Sequence, residues 1–405
     1  MAGVFENDKG AVKMAELKPK RMLLFGPGYG HNVESRLNSL KDGSLFDVTF
    51  IAYQLDEAFR DKYPYIKYVP SQFVIKKSHP WCTLKSLWWL YKQVRRSGHY
   101  DVIYSLGMTD VMGVLIFLLA KKGTKKAFEI WSIHVLESAK RGKTIFNRID
   151  RYMLKNADLV CQLWWSIREL FVKYFPEYEQ KFLMYQLAYP DIYFTGERHE
   201  PESDFVKIFL SKIPREQIVC FWPRSFIPSN NHPLLLESLG IIKKNNPKLL
   251  DNFKLYLWGG NVEQESRIKL INEIVKHNNL QNNVEIVEHP FVSQNDIFAI
   301  EERSDFFVQI ANDDILSTFI MEILCSGKPY VISNLRTFQF LNEKYDLDID
   351  LVDNDENLIA DRIEAILLDL REGNGIIDDS RRVKCNNYFS VANTIPSAQI
   401  LYDTL

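Results

Sequence analysis

Along this chain, short runs of four to seven apolar residues, many β-branched or aromatic, alternate with longer stretches in which apolar residues recur every three or four positions. The short runs, bounded by Gly, Pro, Asn or Asp, read as buried strands, and the longer stretches read as amphipathic helices. In the first half, strands are predicted at 21–26 (RMLLFG), 46–52 (FDVTFIA), 100–106 (YDVIYSL), 127–133 (AFEIWSI) and 157–163 (ADLVCQL). A glycine-rich turn, GPGYGHN, and an amphipathic stretch over 33–40 follow the first of them. The polar, strand-poor segment 197–214 reads as a linker, after which the alternation restarts. Strands are expected at 217–223, 254–260, 284–288, 305–311 and 330–333, with helices over 232–244, 265–279 and 318–326. Strand and helix in strict alternation predict the α/β class with parallel, doubly wound sheets. The domains expected are a disordered lead-in over 1–20, a first Rossmann-like domain over 21–200, a second over 210–385, and a closing helix over 386–405.

One segment concentrates candidate chemistry. Residues 305–334, DFFVQIANDDILSTFIMEILCSGKPYVISN, read as strand, polar loop, helix and strand, with Gly327 and Pro329 ending the helix. In such units ligands collect beyond the carboxyl ends of the strands, where helix N-termini offer unpaired N–H groups and partial positive charge. Ser317 and Thr318 open this helix, Asp314 sits in the loop before it, and Glu322 lies eight residues after Asp314. The same residues also suit plain helix capping, with Asp313 and Asp314 at the cap and Glu322 as an early-helix acid. Elsewhere, G-P-G-Y-G at 26–30 lacks the spacing of a dinucleotide fingerprint, which argues against NAD.

The stretch DILSTFIMEILCSGKPYVI resembles the E-x7-E segment of retaining GT-B glycosyltransferases, the large family 4 that builds bacterial polysaccharides and glycolipids. Glu322 stands as the second acid, Gly327 and Pro329 are in register, and Asp314 replaces the first Glu. The resemblance implies two Rossmann-like domains facing a central cleft, with NNYFSVANTIPSAQILYDTL as the helix that crosses back to the N-terminal domain. It implies transfer of a hexose, with retention, from a nucleotide-diphosphate sugar to a glycan or lipid-linked acceptor. UDP-sugars are favoured and GDP-sugars are compatible. The donor is then a co-substrate, with no separate cofactor and no metal.

The resemblance also assigns residues. Arg224, in FWPRSFIPSNNH, would hold the diphosphate, for which a planar, permanently charged fork is suited. The Lys that accompanies it in the family has become Ser229 or Asn230, leaving Lys328 as a candidate replacement. Asp314 would orient sugar hydroxyls, Glu322 the ribose, Ser317 and Thr318 the phosphates, and Phe291 and Val292 the base. His134 would touch the donor sugar. Gly28 and Gly30 would let backbone approach the donor phosphate or acceptor, or simply make a tight turn. Two departures, Asp at 314 and the missing Lys, keep open a degenerate GT-B subunit that binds without turnover. A sugar-nucleotide epimerase is the third reading.

Composition sharpens this picture in three places. A chain of 405 residues exceeds one ordinary domain. Five cysteines, scattered and never in C-x-x-C spacing, suit a reducing cytoplasm and no structural zinc. The polar segment 1–20 has no secretory character, and the longest apolar stretch, 111–120, is half a membrane span. The net charge of −2 hides an asymmetry: residues 1–200 hold 30 Lys and Arg against 21 Asp and Glu, leaving 20 against 31 beyond. Six of the eight Trp are also in the first half, interleaved with bases in WCTLKSLWWLYKQVRRSGH. That mixture predicts either contact with the anionic inner face of a membrane or a half-filled core with solvated charges. No nucleic-acid-binding signature accompanies it.

Overall fold

The structure, a computed structural model, describes residues 18–28, 45–55, 67–70, 80–96, 98–106, 117–130, 145–162, 165–185, 200–259, 265–287, 294–314, 317–374 and 377–405, with 33, 36, 37, 136 and 139–141. It divides into two compact units. One takes the chain up to Pro190 and then Phe389–Leu405, and the other runs from Asp191 to Tyr388.

The first unit is built on β1 (Lys20–Gly28), β2 (Phe46–Leu55), β3 (Lys67–Pro70), α1 (Pro80–Arg96), β4 (Val102–Ser105), β5 (Lys125–Glu129), α2 (Ile145–Asn156), β6 (Leu159–Gln162), α3 (Trp165–Tyr174) and β7 (Phe182–Met184). Its seven strands pair in parallel in the order β3-β2-β1-β4-β5-β6-β7. The central strands are buried on both faces, which is why they read as unbroken apolar runs. At the carboxyl end of β1, a Cβ added to Gly26 would lie 2.7 Å from Cβ of Leu106, so only glycine fits beside that neighbour.

The second unit comprises α4 (Asp204–Ser211), β8 (Ile218–Trp222), α5 (His232–Asn245), β9 (Phe253–Trp258), α6 (Glu265–His277), β10 (Val284–Val287), α7 (Gln294–Arg303), β11 (Phe306–Gln309), α8 (Thr318–Ser326), β12 (Tyr330–Ser333), α9 (Arg336–Tyr345), β13 (Leu351–Val352), α10 (Glu356–Arg371) and α11 (Asp379–Phe389). Its six strands are also parallel, in the order β10-β9-β8-β11-β12-β13. The final helix, α12 (Val391–Thr404), belongs to the first unit, where Ala398 and Leu401 join the core of Met22, Leu24 and Phe46. Tyr402 packs edge-on against Phe46 at 5.7 Å and its hydroxyl donates to the Lys18 carbonyl at 2.9 Å.

In both sheets the chain lays down three strands in one direction and then returns to the middle to build the other way. The reversal falls between β1 and β4 in the first sheet and between β8 and β11 in the second. At such a point the loops leaving two adjacent strands diverge and open a crevice beyond their carboxyl ends.

Three local expectations differ from the structure. The segment read as a linker contains α4, whose first turn is capped by Ser203 Oγ accepting from the Val206 N–H at 3.2 Å. Val206 and Ile213 pack with Val219, Phe221, Tyr256 and Trp258, so a few apolar residues at helical spacing suffice inside a polar stretch. The glycine turn begins later than expected, because β1 continues to Gly28, which pairs with Leu55 after a register shift. Finally, β3, β7 and β13 were not foreseen. All three are sheet-edge strands of two to four residues, too short to show a periodic signal.

Candidate functional site

The switch point of the second sheet brings together the loop after β8 and the loop after β11. Arg224, two residues beyond β8, reaches Asp314 in the other loop, with Nη2 3.3 Å from Oδ2. The same Nη2 donates to Oδ1 of Asn230 at 3.2 Å, and Asn230 is itself fixed by donating to the Ser225 carbonyl at 2.6 Å. The two loops are laced by main-chain and amide bonds: Asn312 N–H to the Ser229 carbonyl at 2.8 Å, and Asn231 Nδ2 to Asn312 Oδ1 at 2.9 Å. Gly259 makes room for this arrangement, since a Cβ there would meet the Phe226 ring at 2.9 Å and the Arg224 carbonyl oxygen at 3.1 Å.

Asp314 is the hub. Its Oδ1 accepts the Ser317 N–H at 3.0 Å, and its Oδ2 accepts Gln309 Nε2 at 2.6 Å and Ser317 Oγ at 3.2 Å as well as Arg224. Gln309 is oriented in turn by Trp222 Nε1, which donates to its Oε1 at 3.1 Å. Only 3 % of the Asp314 side chain is exposed, while 22 % of Arg224 is. The shorter acid thus turns inward to seat the guanidinium and to hold the first turn of α8, and Nε of Arg224 is left buried without a hydrogen-bond partner. The neighbouring Asp313 is exposed, so the two carboxylates of the Asn312-Asp313-Asp314 run occupy different surroundings.

Under Arg224, His232 at the start of α5 stacks on Trp222, with ring centroids 4.2 Å apart, and stands edge-on to Phe226 at 5.1 Å. Its ring is hydrogen-bonded to the Arg224 carbonyl, and burial above all, helped by Arg224 and Arg267, pushes the imidazole down to about 3. A neutral imidazole adds no second positive charge beneath the guanidinium.

Glu322 lies in the second turn of α8 and is buried; its carboxyl is hydrogen-bonded to that of Glu301 in the last turn of α7. Asp314 and Glu322 therefore have different partners although one loop and helix carry both. Gly327 takes φ +70° at the end of α8, where a Cβ would come within 2.9 Å of the Asp378 carbonyl oxygen, so its place as the left-handed stop is steric.

Lys328 does not join Arg224. It precedes β12, at the amino end of the strands, and its Nζ donates to the carbonyls of Glu301, Glu302 and Ser304 at 2.9, 2.7 and 2.6 Å, closing the end of α7. The expectation that it replaces the missing family Lys is corrected on that ground. The position itself is filled by neutral groups, the Ser229 carbonyl and the buried Asn230 amide, which brace the loop rather than add charge.

Among the other expected site residues, His134, Phe291, Val292 and Gly30 lie outside the described residues, as does the 1–17 part of the lead-in. Gly28 is in β1, Thr318 opens α8, and Ser317 is the residue before it. On α1, Trp88 is 56 % exposed and stacks on Tyr91 at 5.5 Å, with Lys92 and Arg95 over the two rings, while Leu90 and Val94 face the core. Among the described residues no helix is long and apolar enough to cross a membrane.

Gln309, Trp222 and Glu301 were not singled out from sequence, and Asn230 was noted only as a place where the family Lys is replaced. The signal was present for Gln309, the one polar residue in an otherwise apolar FFVQI strand, and a buried amide in such a place must be answered by partners.

Two parallel doubly wound sheets, each with its reversal at the middle, define the GT-B fold, and the solved structures similar to this chain carry the same architecture. A glycosyltransferase from Rickettsia africae superposes with a TM-score of 0.70 at 15 % identity, covering 96 % of this chain and 98 % of that one. The HepE protein of Anabaena, solved with UDP and glucose, gives 0.71 at 13 % identity over 96 % and 100 %. Sucrose-phosphate synthase from Thermosynechococcus elongatus gives 0.70 at 15 % over 95 % and 98 %. Within the second unit, residues 206–383, from α4 into α11, match the sequence model of the family "Glycosyl transferases group 1". No curated protein matches the chain by sequence.

Proposed function

We propose that this protein is a glycosyltransferase that moves a hexose from a nucleotide-diphosphate sugar, with UDP the favoured nucleotide, to a glycan or lipid-linked acceptor. The observation that carries the reading is the seating of Arg224 at the switch point beside the start of α8. The partly exposed Arg224 guanidinium and the N-terminus of α8 are held together there by Asp314, an arrangement that suits the oxygens of a diphosphate. The family match over this unit and the UDP in the similar Anabaena structure support the choice of donor.

In this reading the chemistry develops negative charge on the leaving diphosphate as the glycosidic bond breaks. Arg224 and the α8 N-terminus stabilise that charge, and fixed dipoles do so without reorganising. Asp314 acts through Arg224 by holding it, and Ser317 lies at the phosphates. Glu322 accepts the ribose hydroxyls. Retention of configuration follows from front-face attack, in which the leaving phosphate takes the acceptor's proton and no protein base is required.

Replacing Glu322 by Ala is expected to weaken UDP binding by about 1–3 kcal/mol, the range for losing hydrogen bonds to a charged acceptor. Titration calorimetry on the full chain measures it, and equal affinity in a folded variant removes Glu322 from the ribose.

The inward turn of Asp314 favours a second reading, a GT-B subunit that binds nucleotide sugar without transferring it, since its carboxylate is already engaged by Arg224, Gln309 and Ser317. Nucleotide release from UDP- and GDP-sugars in the presence of glycan or lipid acceptors separates the two: steady release supports transfer, and tight binding without release supports the subunit. The Trp88–Tyr91 face of α1, with Lys92 and Arg95, is the part of this proposal that would meet an anionic membrane carrying a lipid-linked acceptor. Cosedimentation with phosphatidylglycerol vesicles should then fall several-fold on replacing Trp88 by Ser, and vesicle binding equal to wild type would remove this face.

A further inference from the structure

Glu322 shares its buried environment with a second acid. Glu301 and Glu322 are each 6 % exposed, their carboxyls are hydrogen-bonded to one another, and Oε1 of Glu301 is buried without a hydrogen-bond partner. Two carboxylates in contact away from water cannot both stay ionised, because repulsion and desolvation act in the same direction. A single proton between them turns the contact into a charge-assisted hydrogen bond. The groups facing the pair do not replace that proton. Lys328 directs its three hydrogens at the carbonyls of Glu301, Glu302 and Ser304. Cys325, on α8 below Glu322, is hydrogen-bonded to Cys385 on α11, and burial keeps its thiol protonated. Burial first, and then the Glu322 charge, raise the Glu301 carboxyl well above the usual carboxylate range, so the proton resides on Glu301.

We propose that Glu301 is a positioning residue for nucleotide binding: it donates its proton to one oxygen of Glu322 and thereby holds the Glu322 carboxylate in place to accept the ribose hydroxyls of a nucleoside diphosphate. This rests on the reading that Glu322 meets the ribose. Glu301 itself touches no substrate. Its effect is to hold the Glu322 carboxylate through a neutral donor, while the nearby Lys328 charge only partly offsets the burial that keeps Glu301 protonated.

The consequence is a pH dependence that belongs to this chain. When the shared proton is lost, two adjacent anions repel, and a bound diphosphate adds further negative charge nearby. Binding must then recapture a proton, and affinity falls by up to about tenfold per pH unit above the titration of the pair. Below that titration it is level.

Titration calorimetry with UDP on the full chain, from pH 5.5 to 9.5, tests this with wild type, Glu301→Gln, Glu301→Leu and Glu322→Ala, each checked for folding by its melting curve. The Gln amide donates the same hydrogen bond and has no proton to lose. The alkaline decline seen in wild type is expected to be absent in Glu301→Gln. UDP titrates in both proteins alike, and because Lys328, held near 8 chiefly by burial, is itself raised by the Glu301 charge, the comparison of wild type with Glu301→Gln is repeated in a Lys328→Met background. Glu301→Leu, with no donor, is expected to bind about tenfold more weakly at every pH. Parallel profiles for wild type and Glu301→Gln, or a Glu301→Leu variant that binds like wild type, overturn the proposal. If Glu322→Ala binds UDP as wild type does, the ribose assignment falls and this inference falls with it. If Glu322→Ala binds weakly while the profiles stay parallel, only the role of Glu301 is lost.

Discussion

Replacing Arg224 by Ala is expected to lower sugar transfer by about 10²–10³-fold, the range for removing one preorganised donor from a developing oxyanion. The reason is geometric as well as electrostatic. Arg224 is held through Nη2 by Asp314 and Asn230, so the guanidinium is fixed before any ligand arrives. The neutral His232 and the neutral occupants of 229 and 230 leave it as the cation of the two loops, and no other positive charge on them takes over when it is removed. Arg224→Lys keeps the charge but not the fork, and is expected to recover only part of the loss. Nucleotide release from the donor that wild type turns over gives the rate, and calorimetry with UDP shows how much of the loss lies in binding. A fully active, folded Arg224→Ala variant would remove the diphosphate from this place.

The second large effect concerns stability. In the first unit, the buried Arg36 guanidinium pairs with Glu129, the last residue of β5, and its Nη2 donates to the Tyr185 carbonyl at 2.9 Å. It also lies over the Tyr185 ring, 3.7 Å from the centroid, and Tyr104 donates its hydroxyl to Glu129 at 2.5 Å. Burial alone would lower the Arg36 pKa, but Glu129, Tyr104 and Tyr185 more than reverse it and the net direction is upward. Arg36→Met leaves Glu129 buried without its cation and is expected to destabilise the first unit by about 3–5 kcal/mol. Adding Glu129→Leu removes the stranded charge, and the double variant should regain most of that loss. Denaturant unfolding followed by tryptophan fluorescence, with six of the eight Trp within residues 1–200, measures both. If the double variant is no more stable than Arg36→Met, the network's value lies in its hydrogen bonds and not in its charge balance.

The alternation of apolar runs and amphipathic stretches made the fold legible. Four of the five predicted strands of the second unit, β8, β9, β11 and β12, are inner strands and almost wholly buried; the fifth, β10, is an edge strand whose apolar–polar alternation still showed in VEIV. Edge strands β7 and β13 and helix α4 were lost because little of each is buried. Within the site, Arg224, Asp314 and Glu322 were marked by their spacing relative to strand ends. Their mutual arrangement was not legible. Whether an acid in a loop faces a ligand or its own protein depends on which donors the neighbouring strands supply, and Gln309 and Trp222 supply them for Asp314 through contacts 5 and 87 residues distant in sequence. Likewise, Lys328 could be judged near the site from its distance along the chain, whereas the topology places it at the other end of the strands. The pairing of Glu301 with Glu322 depends on two helices coming side by side, which no local pattern encodes.

A crystal structure of the protein soaked with UDP tests the central claim most directly. The account predicts diphosphate oxygens within hydrogen-bonding distance of the Arg224 guanidinium and of the first N–H groups of α8, with the ribose hydroxyls on Glu322. UDP bound elsewhere on the chain, or a diphosphate that leaves the Arg224–Asp314 pair untouched, would contradict it.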